Sequence, residues 1–62
     1  MDEIELCKKV IKDWPDKVEL YKQGKTVFGF FMGQVIKEAE GNIDRKRAEK
    51  ILWSLLEAEL DP

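Results

Sequence analysis

The sequence has no histidine and a single cysteine, Cys7, and these two shortages remove much of the chemistry open to a short chain. Without imidazole there is no ordinary zinc site, and nothing to activate Ser54 or Cys7 as a nucleophile. A lone cysteine forms no internal disulfide, which suits a reducing cytoplasm. No run of about 18 apolar residues is present to span a membrane, and the start carries no basic-then-apolar leader. Phosphate loops of the form GxxxxGK[ST] or GxGxxG are missing as well. The carboxylate pairs Asp13 with Asp16 and Glu38 with Glu40 read as solvated charges, since nothing in the pattern buries them enough to move their pKa values. These absences lead to the expectation of a cytoplasmic chain that is not an enzyme by itself, with no catalytic residue, no metal site, no cofactor of its own and no membrane partner.

What is present describes a small folded domain. The 62 residues suffice for one domain, 1–62, and a chain of that size buries about 60% of the surface its unfolded form exposes, so its core is small. An apolar fraction of 44% beside 39% charged residues, with 4 Gly and 2 Pro, fits ordered helices rather than disorder. The net charge of −2 excludes the globally basic type of nucleic-acid binder, so any contact with a polyanion must come from a local patch. Residues 24–50 are mildly basic, and residues 51–62 carry acids alone.

Periodicity divides the chain into four helices. Ile4, Cys7, Val10, Ile11 and Trp14 are spaced as one face of a helix from Asp2 to Asp13, which Pro15 stops. The same proline opens a second helix through Val18, Leu20 and Tyr21, with Gly24 as its left-handed C-cap. A third helix runs from Thr26 as N-cap to about Glu40, with Gly41 ending it and Phe28, Phe31, Met32, Val35 and Ala39 facing the core. Asp44 caps a fourth, in which Ala48, Ile51, Leu52, Leu55 and Leu56 are apolar, and Ile43 with Ala48 occupies the positions of a hydrophobic staple. The expected fold is all-α, a small bundle of three to four short helices.

Three features exceed what packing requires. Gly29 and Gly33 lie inside the most apolar segment, where each costs about 1 kcal/mol relative to alanine. They fall on a flank of the third helix beside Lys37, with Phe30 and Gln34 farther round. Either a neighbouring helix approaches closely there, or an RNA backbone or partner chain does. The fourth helix, secondly, is charged against its dipole: Arg45, Lys46 and Arg47 fill its first turn and Glu57, Glu59 and Asp61 its end. Together with Lys50, the first group makes a positive site at a helix N-terminus, where backbone N–H groups also favour anions. Thirdly, Trp53 projects off the core stripe near Lys46, either as a lid on the core or as an aromatic able to stack on a base or anchor a partner; Trp14 at the Pro15 junction reads as structural.

The run Tyr21-Lys22-x-Gly24-Lys25, then Gly29-Phe30-Phe31-x-Gly33-Gln34-Val35-x-Lys37, Gly41-Asn42 and Ile51-Leu52 through Leu55-Leu56 resembles the C-terminal GatB/YqeY tail domain, shared by the B subunit of aspartyl/glutamyl-tRNA amidotransferase and YqeY-like proteins. The match covers about residues 13–58, and GFFxGQVxK is its most specific part. The resemblance implies that the chain is the tail of a longer protein, a mobile helical module reaching toward the body of a tRNA. ATP, Mg²⁺ and catalysis are then implied for the whole enzyme, in other domains and in another polypeptide of the assembly, with the A and C subunits as partners through the rest of the B subunit. By position it implies Lys25, Gly29, Gly33, Gln34 and Lys37 as tRNA-facing residues. Phe30 joins them from the same flank, and Arg45, Lys46 and Lys50 join them from the charge argument. A protein-interaction module of a free-standing YqeY-like protein, docking a helix on the glycine flank, is the alternative.

Overall fold

A computed structural model describes residues 2–60, so Asp61 of the expected acidic end lies outside the described residues, and these fold into four helices with no strand among them. The helices are α1 (Glu3–Asp13), α2 (Pro15–Lys22), α3 (Phe28–Glu38) and α4 (Arg45–Glu59). α1, α3 and α4 pack on one another, and the short α2 lies against α1 and α4.

Each helix begins where a local signal starts it. The Asp2 carboxylate accepts the Ile4 N–H at 3.3 Å and caps α1. Pro15 is the first residue of α2, where its missing N–H costs nothing. Asp44 Oδ1 accepts the N–H groups of Lys46 and Arg47 at 3.1 and 3.3 Å and caps α4. α3 begins two residues beyond Thr26 and has no side-chain cap. Val27 N–H turns back onto the Lys25 carbonyl at 3.1 Å, so the chain enters α3 from a tight turn that leaves Thr26 outside.

The C-termini of α2 and α3 differ in an instructive way. α2 closes with Gly24 at φ +86, its N–H on the Tyr21 carbonyl and the Lys25 N–H on the Leu20 carbonyl, both at 3.0 Å. This is the Schellman arrangement, and glycine fills the left-handed position without strain. α3 closes by the same pair of bonds, Glu40 N–H to Lys37 carbonyl at 3.0 Å and Gly41 N–H to Ile36 carbonyl at 2.9 Å. Here, however, the left-handed position just after the cap is held by Glu40, at φ +55, and Gly41, at φ +77, comes one residue later. The helix therefore ends earlier than its glycine suggests.

The core joins all four helices: Leu6, Cys7, Val10 and Ile11 from α1, Val18 from α2, Phe31 and Val35 from α3, and Ala48, Leu52 and Leu56 from α4. Phe28, Met32, Ala39, Ile43, Ile51 and Leu55 pack half-buried around it. Two positions on the expected α1 face depart from it. Ile4 is 41% exposed at the margin of the face, and Leu6 is buried in its place. Trp14, 39% exposed, leaves the stripe because its backbone (φ −127, ψ 62) is no longer helical, so the period that places Val10 and Ile11 does not extend to it.

Polar ties between helices are few. Tyr21 Oη donates to Glu57 Oε2 at 3.2 Å and fastens α2 to α4. The buried Cys7 thiol points at the Ala48 carbonyl at 3.9 Å, and burial first, then the nearby Glu3, pushes its pKa up. The ion pairs Lys9–Asp13, Lys9–Glu38 and Lys22–Glu19 lie at the surface, where water and salt screen them, so apolar burial carries the fold.

Candidate nucleic-acid interface

Helical periodicity puts Gly29, Gly33 and Lys37, four residues apart, on one stripe of α3, facing away from the buried Phe31 and Val35. All three are exposed. A Cβ built on either glycine meets nothing within 4 Å, so close packing inside the bundle does not account for them. The flank expected from the sequence is thus an open surface.

One edge of this stripe is walled by aromatic rings. Phe30 is half-buried, with the Trp14 ring edge-on at 5.0 Å between centroids and an interplanar angle of 85°. Lys17 Nζ lies 5.2 Å from the Phe30 centroid, a cation–π contact, and Phe31 meets it from the core side at 5.7 Å. Phe30 is therefore part of the wall rather than a free side chain. Gln34 is half-buried on the same side. Beyond the other edge, Phe28 lines a shallow groove with Glu49, Lys50 and Trp53 of α4. Trp53 is 55% exposed, which excludes its reading as a lid on the core.

The charges around this surface are unevenly neutralised. Arg47 Nε sits 3.1 Å from Glu3 Oε2, a carboxylate oxygen shielded from water whose contact with Arg47 lacks hydrogen-bond alignment. Glu38 is partly offset by Lys9 at 3.8 Å. Lys25 in the α2–α3 connection, Lys37 on α3, and Arg45, Lys46 and Lys50 on α4 are exposed, and among the described residues they form no ion pair. The start of α4 differs from expectation in one respect. Asp44 already occupies the N–H groups of Lys46 and Arg47, and its carboxylate stands where a phosphate would seek those donors. Anion attraction at this end rests on the side chains of Arg45 and Lys46, not on bare backbone.

A model of the GatB domain matches residues 1–56 of the chain. The chain belongs to the GatB domain family. Similar proteins include the aspartyl/glutamyl-tRNA(Asn/Gln) amidotransferase B subunit of Pseudothermotoga lettingae, 48% identical over 52 residues, 82% of this chain and 11% of that protein. The B subunits of Thermosipho melanesiensis and Ehrlichia canis are 42% identical over 53 residues and 43% identical over 54 residues, covering 84% and 86% of this chain and 11% of each relative. This GatB domain thus spans about a tenth of the length of the curated relatives it matches. No solved structure matches the chain. No helix among the described residues is long and apolar enough to cross a membrane.

Sequence reasoning did not assign the aromatic wall of this GatB domain. The signal for it was the Trp14-Pro15 pair, which ends α1 and swings the indole out of register, over Phe30.

Proposed function

We propose that the chain is a non-catalytic tRNA-binding tail domain of the B subunit of a glutamine-dependent, ATP-consuming amidotransferase. The parent enzyme would convert misacylated Glu-tRNA(Gln) or Asp-tRNA(Asn) to Gln-tRNA or Asn-tRNA in a cytoplasmic assembly with the A and C subunits. The observation that carries this reading is the exposed Gly29–Gly33–Lys37 stripe, whose glycines meet no packing partner among the described residues and whose lysine forms no ion pair there. Removing Cβ atoms lets a sugar-phosphate backbone come close, and Lys25, Lys37, Arg45, Lys46 and Lys50 supply charge. Such contacts set position and affinity without reading sequence. Relatives that share this segment are named for their action on tRNA, which agrees with the proposal.

ATP, Mg²⁺ and the activation chemistry are placed, in this reading, in other parts of the parent protein, as the family resemblance implies. This domain's part is to hold the tRNA body.

Titration with an unmodified tRNA transcript at increasing salt tests the proposal. Binding should weaken steeply with salt, and replacing Lys25, Lys37, Arg45 or Lys46 by alanine should each lower the log–log slope by about 1. Absence of binding at low salt, with full activity of the assembly after all four replacements, would overturn it. The open GxxxG spacing also suits a partner helix, as in a free-standing YqeY-like protein, and affinity nearly independent of salt would select that reading.

A further inference from the structure

We infer that Trp53 is a stacking platform for one unpaired nucleotide of the bound RNA, a contact separate from the phosphate-facing cations and resting on the tRNA reading above. Its indole is the most exposed of the large apolar side chains, at 55%, although α4 offers buried positions one residue before it and three after it, at Leu52 and Leu56. The groove it shares with Phe28, Glu49 and Lys50 measures about 400 Å³, near the lower end of pockets that accept small ligands.

The surroundings select the occupant. Lys50 borders the groove, and Lys46, two turns before Trp53 on the same stripe of α4, has no ion-pair partner among the described residues. A base on the indole would leave its phosphates within reach of these cations. Glu49 is the one acid in the groove. Its carboxylate repels a phosphate beside it, so the base is the part of the nucleotide that enters. A protein partner would have to bring acids of its own to Lys46 and Lys50, whereas an RNA strand carries its phosphates with it. Phe28 precedes Gly29 in α3, which turns it about 100° away from the glycine stripe, so the groove opens on the adjoining side of the helix. Bases paired within a duplex are stacked and unavailable, whereas those of loops and ends are free to use such a surface.

Tryptophan emission tests this in the 62-residue chain carrying Trp14→Phe, which leaves Trp53 as the only indole. An unmodified tRNA transcript and a short oligouridylate should quench it, and a blunt RNA duplex should not. Trp53→Ala should weaken tRNA binding at least about fivefold with an unchanged salt slope, and Trp53→Phe should keep most of the affinity. Because the side chain is exposed, helicity should be unchanged in both. If tRNA still binds the Trp53→Ala chain within about twofold of the parent, and the parent's emission stays unquenched, the platform is overturned while the phosphate reading stands. If the parent chain fails to bind tRNA, both fall. Equal quenching by duplex, or emission that changes with chain concentration alone, assigns the indole to another occupant and also overturns the platform.

Discussion

Gly33 costs α3 about 1 kcal/mol relative to alanine, and no neighbour among the described residues requires the missing Cβ. Gly33→Ala should accordingly raise the melting temperature by several degrees, the size of shift about 1 kcal/mol gives in a domain this small, while weakening tRNA binding. A lowered melting temperature would mean that the new methyl meets something inside the bundle, and the docking role would lose its main support. This residue was legible from the sequence in position but not in purpose. Periodicity separated it from Phe31 and Val35, yet only the geometry decides whether the space beside it is filled. The same limit applied to Trp53, which helical spacing placed off the core stripe without telling a lid from an exposed ring. At Asp44 the sequence held more than its charge pattern conveyed, because the residue that caps a helix also consumes the donors an anion would use.

Among the helices, α3 alone closes through a strained residue. Its Schellman bonds are in place, but Glu40 bears the left-handed penalty that Gly24 avoids at the end of α2. Glu40→Gly should therefore stabilise the chain by about 1 kcal/mol, measured as a higher midpoint in urea at unchanged slope. No gain, or a loss, would show that glycine's added freedom in the unfolded chain outweighs the relief. Element boundaries were readable wherever one residue enforces them, at Pro15, Gly24 and Asp44. They drifted where two signals competed: Thr26 offered a cap that a tight turn at Val27 bypasses, and Gly41 offered a stop that the backbone reaches one residue sooner. Trp14 failed for a related reason, since a residue beyond the last helical turn no longer obeys the period that places its neighbours.

At the scale of the whole molecule, a net charge of −2 works against long-range attraction of a polyanion, so the proposed RNA contact would have to draw on the unpaired cations Lys25, Lys37, Arg45, Lys46 and Lys50. The acidic end of α4 also has an internal use. Glu57 accepts the Tyr21 hydroxyl and joins residues 36 apart in the chain. Burial, then the Glu57 charge and the hydrogen bond, raise the Tyr21 pKa above the usual tyrosine value. A group whose folded pKa is raised stabilises the fold fully below its unfolded value, about 10, and loses that contribution as pH climbs through the folded value. α2 buries only Val18, and the Tyr21–Glu57 bond ties it to α4. Since the chain contains one tyrosine, its phenolate absorbance is a private optical gauge of whether α2 is seated. An alkaline titration should place its midpoint above about 10, and Glu57→Gln should move it down toward the free value. A midpoint that ignores the substitution would detach the gauge from Glu57.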